Sequence, residues 1–332
     1  MTIAPHRRHL TIVAATAITT MLALSACGSD SGSSTAGGTD DGAGAFPATV
    51  DTEFGEVTVD EKPEKIVVIG SARDVDMLDA LGAPADVYGG WGPEKTALQT
   101  APWIKGLYDE YASDLIADSK PAAEAVAEQD PDLIIYFGSG APIDQSSFDQ
   151  LTEIAPTYAY KHLAPHEDEL EALGKLTGTS DQVDKVTEGI DDDFAEARET
   201  LSGLEGKTFF QGAVSADGIY SVPDANHFFD ELGLEPADIQ PSGDKPQTLS
   251  MERIGDIDAD VAVIGGEDEP RKALEDDSRF DRLPAVKNGT MVLAAGTETY
   301  VSMPTQIGPS SVPYILSKLV PQLKDSKLNQ GG

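Results

Sequence analysis

Cysteine is almost missing from this chain: Cys27 is the only one in 332 residues. A lone cysteine closes no internal disulfide, so a small scaffold held together by crosslinks is excluded. Basic residues are scarce too, 23 lysines and arginines against 58 aspartates and glutamates, for a formal charge of −35. A surface of that sign repels phosphate backbones and anionic headgroups, which argues against nucleic acid as a partner and against membrane binding by charge. The sequence has no Gly-x-Ser-x-Gly elbow, no His-Glu-x-x-His, no Gly-x-x-x-x-Gly-Lys loop and no Gly-x-Gly-x-x-Gly. Without these, the residues assign no catalytic role and no cofactor, and the expectation is that the chain is not an enzyme.

Long apolar runs are absent apart from residues 10–26, a 17-residue stretch behind Arg7 and Arg8. It falls short of the roughly 20 residues a membrane-spanning helix wants and has the layout of a secretion signal. Leu24-Ser25-Ala26-Cys27 resembles the bacterial lipobox, in which lipid is attached to the cysteine thiol and the signal is cut just before it. Cys27 is followed by Gly, Ser and Asp, with no core to enter and no histidine beside it, which disfavours a buried or catalytic thiol. The expectation is a signal peptide over residues 1–26 and a mature chain anchored by lipid on Cys27, outside the cytoplasm at the cell membrane. Residues 28–45 hold six Gly, four Ser and three Asp, the composition of a flexible coil. Such a coil has a root-mean-square reach of roughly 23 Å.

Beyond the tether, short apolar runs alternate with helical patterns. Ile66-Val67-Val68-Ile69, Leu133-Ile134-Ile135-Tyr136-Phe137, Thr208-Phe209-Phe210-Gln211, Val261-Ala262-Val263-Ile264 and Met291-Val292-Leu293-Ala294 read as buried strands bounded by turn residues. That order predicts an α/β architecture with largely parallel sheets. Val183, Val186, Ile190, Phe194, Ala197, Leu201 and Leu204 recur at steps of three and four. Thr179 and Gln182 fit a capping box and Gly206 fits the residue after the last turn, predicting one helix of about 25 residues and roughly 37 Å.

The chain also echoes itself. The sixteen residues from Ala123, "AEAVAEQDPDLIIYFG", align without a gap on "MERIGDIDADVAVIGG" from Met251, at a constant offset of 128. The alignment places Glu124 on Glu252, Val126 on Ile254 and Asp132 on Asp260. Two related lobes, one on each side of the long helix, explain both features.

Several stretches together resemble the periplasmic binding proteins for ferric siderophores and cobalamin that serve ATP-driven importers. They are "KPEKIVVIG" with "DMLDALG", "PAAEAVAEQDPDLIIY", "LTEIAPTY", "TLSMERIGDIDADVAVI" and "FDRLPAVKNGTMVLAA", covering residues 62–323. The resemblance implies two Rossmann-like α/β lobes bridged by a single long helix, with ligand in the cleft between them. The boundaries that follow are a linker at 27–61, an N-terminal lobe at 62–165, a helical segment with the bridge at 166–206 and a C-terminal lobe at 207–326. A helix crossing between lobes resists wide hinge closure, because bending one without Pro or an inserted group is unfavourable. In the family, one glutamate on each lobe docks onto arginines of the permease dimer; by position these are Glu124 and Glu252.

Ligands of open parallel sheets sit beyond the carboxyl ends of the strands. The loops there offer Arg73, Trp91 within Gly89-Gly90-Trp91-Gly92, Gly138-Ser139-Gly140, Tyr220, Arg271 with Lys272, and residues 297–300 ending in Tyr300. Glycine lets backbone approach a bulky ligand, aromatic rings offer flat apolar contact, and arginine donates to chelating oxygens. The expected ligand contacts are Arg73, Trp91, Tyr220, Arg271 and Tyr300, and the expected ligand is a ferric siderophore, with a neutral or cationic iron hydroxamate favoured over an anionic catecholate. Heme or cobalamin is the alternative within the family, heme drawing on Tyr220, Tyr300 or His227 as an axial ligand. A zinc- or manganese-binding lipoprotein is a further alternative. His162 and His166 stand four apart, yet Pro165 between them opens the helix and spoils a shared face. Asn288-Gly289-Thr290 reads as a turn.

Overall fold

The computed structural model describes residues 45–138, 143–160, 165–224, 227–242, 245–305 and 307–331. Cys27, the signal-like segment, His162, Ser139 and Gly140 lie outside them. The first lobe runs β1 (Ala48–Thr52), β2 (Gly55–Val59), β3 (Ile66–Ile69), α1 (Ala72–Ala80), β4 (Ala85–Gly89), α2 (Glu94–Thr100), β5 (Tyr108–Tyr111), β6 (Ile116–Ala117), β7 (Lys120–Pro121), α3 (Ala123–Ala127), β8 (Leu133–Phe137), α4 (Gln145–Thr152), β9 (Thr157–Tyr160) and α5 (His166–Thr177). After the long helix α6 (Val183–Thr200) come β10 (Thr208–Ser215), β11 (Gly218–Ser221), α7 (Phe228–Glu231), β12 (Glu235–Pro236), β13 (Gln247–Leu249), β14 (Val261–Gly266), α8 (Asp268–Glu275), α9 (Pro284–Asn288), β15 (Met291–Ala295), α10 (Thr299–Ser302) and α11 (Ser311–Leu323).

The apolar runs read from sequence become the centres of two sheets. In the first lobe the strand order is β5-β4-β3-β8-β9, all parallel, with Val67 facing Val87 on one side and Ile134 on the other. Its central strands β3 and β8 are buried on both faces, as continuous apolar runs require. The second sheet runs β13-β11-β10-β14-β15, with β12 also beside β10. Its β10, β14 and β15 are parallel, but β11 and β13 pair antiparallel, so this lobe is mixed where the sequence suggested largely parallel pairing. The cause is the two-residue turn at Ala216-Asp217, which sends β11 back along β10; Gly218, the first residue of β11, has φ at +133°, and a Cβ there would strike the Leu249 carbonyl of β13.

The sequence echo is a structural equivalence. β8 lies between β3 and β9 as β14 lies between β10 and β15, and Val126 and Ile254 are both fully buried beside their strands. The paired aspartates do the same work at offset 128. Asp132 Oδ2 accepts the backbone N–H groups of Glu64 at 3.0 Å and Lys65 at 2.9 Å, just before β3. Asp260 Oδ2 accepts from Thr208 N–H at 3.2 Å, at the start of β10. The copies differ in one respect: residues 123–127 form an α-helix, whereas Met251–Asp256 is a 3₁₀ turn containing Gly255, and glycine is a poor helix former.

The seven apolar positions of the long helix face inward, Val186 partly and the other six fully buried. Its ends depart from expectation. The α-helical part is 18 residues, flanked by single 3₁₀ turns at Ser180–Gln182 and Ser202–Leu204. No capping box forms, because the Thr179 hydroxyl pairs with the Thr177 hydroxyl at 2.8 Å and Gln182 makes no capping bond. Gly206 does take the left-handed conformation, at φ +67°. One core runs from Val67 and Ile134 through Ile190 and Phe194 of α6, and Ile315 and Leu319 of α11, to Phe209, Val263 and Val292 on one face of the second sheet. Phe210, Val214 and Ile264 on the opposite face belong to a separate core with Ile254 and Leu274, the period of two that a strand imposes.

The expected linker over 27–61 is too long at its carboxyl end. Ala48–Thr52 and Gly55–Val59 form a β-hairpin, with Ala48, Val57 and Val59 buried and Phe54 stacked on Phe148 at 5.2 Å. Alternation of Val with Thr, Asp and Glu suits a half-buried strand, which the glycine-rich composition just upstream obscured.

Candidate functional site

A cavity of about 360 Å³ opens between the two sheets at the carboxyl ends of their strands. Its near wall is Gly70, Ala72, Tyr88, Trp91, Ala97, Thr100 and Ala101 from the first lobe; its far wall is Tyr220, Val222, Thr299, Tyr300, Met303 and Thr305 from the second. Four aromatic rings line it, and no charged side chain is among its described lining residues. Such a volume and lining suit a small-molecule site with a few polar groups for orientation.

Each wall has a local cause. Gly70 follows β3 with φ at +96°, and any Cβ there would collide with the Phe137 carbonyl oxygen and lie 3.5 Å from Trp91 Nε1. That close approach lets the indole lie against the chain; its buried Nε1 has no hydrogen-bond partner among the described residues. Tyr111 Oη donates to the Gly92 carbonyl at 2.6 Å, fixing the loop that carries Trp91. Tyr220, at 43% exposure, is the only exposed large hydrophobic residue among the described residues. An apolar ring held in water at a cavity mouth is what an incoming ligand covers. Behind Val222 the amides of Gln211 and Gln240 both donate to its carbonyl, at 3.2 and 2.7 Å. Tyr300 is 8% exposed and packs edge-on against Trp103 of the first lobe, ring centres 5.4 Å apart, and against Tyr314 of α11 at 5.7 Å. Burial and the neighbouring Tyr314 hydroxyl raise its phenol above the ordinary tyrosine range.

Three of the five residues read as ligand contacts therefore meet in one cavity: Trp91, Tyr220 and Tyr300. Two do not line it. Arg73 is fully buried in the first turn of α1, below the near wall. There it belongs to a charged cluster with Asp74 and Glu169. Tyr160 Oη donates to Asp74 Oδ1 at 2.7 Å, and Glu169 lies beside the Tyr158 hydroxyl. Burial pushes Asp74 up to about 6 and Glu169 up to about 8, Arg73 opposing both shifts. Arg271 lies on α8, its Nε donating to the Gly266 carbonyl at 2.8 Å and its Nη2 to Asp268 at 2.5 Å. Sequence reasoning missed Tyr88, because a residue inside a buried strand looks like core; Thr100, Met303 and Thr305 carried no signal at all.

Glu124 and Glu252 are both exposed, each in the first turn of its short helical segment. A wider depression of about 780 Å³ lies on the second lobe, lined by Glu235, Asp238, Asp256, Asp258 and Asp260 with Arg253. It sits at the amino ends of β10 and β14, Asp260 caps Thr208, and Asp256 pairs with Arg253 at 2.8 Å. Two of its acids, Asp256 and Asp260, are committed within the fold, and its place is the wrong end of the sheet for a ligand. His166 begins α5 directly after Pro165 and is buried, which lowers its pKa; among the described residues no cluster of three or more His, Cys, Asp and Glu is arranged to hold a metal. Asn288-Gly289-Thr290 is a turn, Gly289 being left-handed at φ +74°.

Residues 67–295 match the model of the family described as periplasmic binding protein. The chain belongs to that family. The lobes and cavity are thus those of an extracytoplasmic binding protein, and among the described residues no helix is long and apolar enough to cross a membrane. The petrobactin-binding protein YclQ of Bacillus subtilis is 26% identical over 303 residues, covering 86% of this chain and 91% of its own. The iron(3+)-hydroxamate-binding protein FhuD of the same organism is 27% identical over 297 residues, covering 82% and 86%. Among solved structures, a periplasmic solute binding protein of Mycobacterium smegmatis superposes with a TM-score of 0.68 at 22% identity, covering 83% of this chain and 97% of that one. PiaA of Streptococcus pneumoniae in complex with ferrichrome gives 0.67 at 21% identity, covering 84% and 98%. These likenesses establish the fold: two lobes linked by a long helix.

Proposed function

We propose that the protein captures a ferric siderophore in the interlobe cavity and delivers it to the permease of an ABC importer. The observation that carries the reading is the cavity itself, formed by both lobes, lined by Tyr88, Trp91, Tyr220 and Tyr300, and free of charge among its described lining residues. Its relatives, named as binders of iron-hydroxamate, petrobactin and ferric enterobactin, point to the same class of ligand. Within that class the uncharged lining favours a neutral or cationic tris-hydroxamate. A highly anionic tris-catecholate would need cationic donors close by, because charge further off is screened over the ~8 Å Debye length of physiological salt. Glu124 and Glu252, exposed on equivalent segments of the two lobes, are the acidic knobs that engage a two-subunit permease and set the register by charge. Lipid on Cys27 and the glycine-rich tether hold the body near the membrane.

The test is a fluorescence titration of the full chain with ferrichrome, ferric enterobactin, heme and cobalamin. Trp91 and Trp103 are the only tryptophans, one in the cavity wall and one against Tyr300. Ferrichrome is expected to quench them at a stoichiometry of one; tight heme or cobalamin binding without ferrichrome binding would overturn the siderophore assignment.

A further inference from the structure

Helix α11 does not cap itself. Ser310 before it makes no side-chain capping bond, and the first N–H groups of any helix need acceptors from elsewhere. Here the acceptor is Asp76 of α1, 234 residues away in sequence. Ser310 N–H donates to both Asp76 carboxylate oxygens at 3.0 Å, and Ser311 N–H donates to Oδ2 at 3.0 Å. Asp76 and Ser311 are fully buried, and Gly308 packs so closely that a Cβ there would lie 2.7 Å from Asp76 Oδ2. A buried carboxylate at a helix N-terminus combines charge-assisted hydrogen bonds with a favourable dipole.

This contact joins the cavity walls. Asp76 lies one helical turn beyond Ala72 of the near wall, and Ser310 follows Thr305 of the far wall by five residues. The segment carrying Tyr300, Met303 and Thr305 hangs between β15, held by parallel pairing to β14, and the start of α11, held by Asp76. Without the carboxylate the start of α11 loses its hydrogen-bonded hold on the opposite lobe and keeps only the ring contacts of Tyr300 and Tyr314 with Trp103 beside the apolar core; the local bond from Gly308 N–H to Ser311 Oγ, at 2.6 Å, closes only its own turn.

We propose that Asp76 is a positioning residue for ligand capture, which fixes the separation of the two cavity walls by holding the start of α11 against α1. The inference rests on the cavity being the ligand site. Its test uses the full chain with Asp76→Ala, Asp76→Asn, Gly308→Ala and, as a control, Leu323→Ala, a fully buried residue at the other end of α11. Ferrichrome affinity and dissociation rate are read by tryptophan fluorescence, stability by thermal midpoint, and the contact by hydrogen exchange over residues 307–316. Asp76→Ala is expected to speed exchange there and to weaken ferrichrome ~10-fold, chiefly through faster dissociation. Asp76→Asn retains an acceptor oxygen and stays within ~3-fold of wild type, as a partly rescued cap should. Gly308→Ala, which pushes α11 off an intact Asp76, weakens binding as Asp76→Ala does, and it carries the test should Asp76→Ala fail to fold. Leu323→Ala lowers the midpoint and leaves affinity in place. Unchanged affinity in both Asp76→Ala and Gly308→Ala, or an equal loss in Leu323→Ala at matched midpoint, overturns the proposal. If the wild type binds no ferric chelate, the functional reading fails with it, while exchange over residues 307–316 still reports on the Asp76 contact.

Discussion

The two lobes are built on one plan and finished differently. Both place a buried strand between two parallel neighbours, precede it with a segment that buries one apolar side chain and exposes one glutamate, and use an aspartate to hold the start of the neighbouring strand. The first lobe then stores ionisable groups behind its cavity wall, in Arg73, Asp74 and Glu169, whereas the second stores neutral amides, Gln211 and Gln240. What repeats is the frame. What differs is the material behind the wall, and there the lobes should respond differently to pH and to mutation.

The sharpest break between frame and cavity is expected in transport. Glu124→Ala combined with Glu252→Ala should abolish uptake of the ferric chelate by cells while leaving its affinity for the isolated protein unchanged; a fall in affinity would show that these glutamates serve the cavity and not the permease. Next in size, Trp91→Ala should cost ~30-fold or more in ferrichrome affinity, the loss typical of an aromatic anchor at a binding site, whereas Arg271→Ala should change it little, as both titrations would show. A smaller effect separates the stored ionisable groups from the amides. Burial raises Asp74 to about 6 and Glu169 to about 8, so the folded state prefers their neutral forms. The stability this brings is complete below the ordinary carboxylate range near 4 and drains away as pH rises through those two values. Thermal midpoints should therefore fall toward alkaline pH, and Glu169→Gln should flatten the fall while Gln240→Leu should not. His166, whose pKa burial lowers, acts in the opposite sense and only below about 6.5. Smallest of all, Asp132→Ala and Asp260→Ala should each cost about 1 kcal/mol in denaturant unfolding, as lost hydrogen bonds of equivalent role; a large inequality would break the equivalence of the lobes.

The frame was legible in the sequence because it is written in periods. Steps of three and four marked Ile190, Phe194 and Ala197 on α6, continuous Val/Ile runs marked β3, β8 and β14, and the 128-residue echo marked the duplication. The ends of elements were harder, since the Thr179 hydroxyl had two partners to choose from and took Thr177. The hairpin over residues 48–59 was hidden by the composition of the tether before it. In the cavity, Trp91, Tyr220 and Tyr300 were legible as aromatics in loops beyond strands. Arg73 was not, because whether a residue after a strand faces ligand or core depends on where the next helix begins, and α1 begins one residue earlier, at Ala72. Asp76 gave no local sign, for its partner is 234 residues away. Tertiary pairing of that kind leaves no period to read.

One core connecting both lobes through α6 and α11 leaves little room for wide opening, so recognition must come from a wall geometry that is already in place. The most direct measurement is a pair of calorimetric titrations of the full chain, ferrichrome and ferric enterobactin, each at low and at high salt. The account predicts one ferrichrome per chain, bound more tightly than the anionic catecholate at both salt concentrations. Tighter binding of ferric enterobactin, or heat from neither chelate, would contradict it.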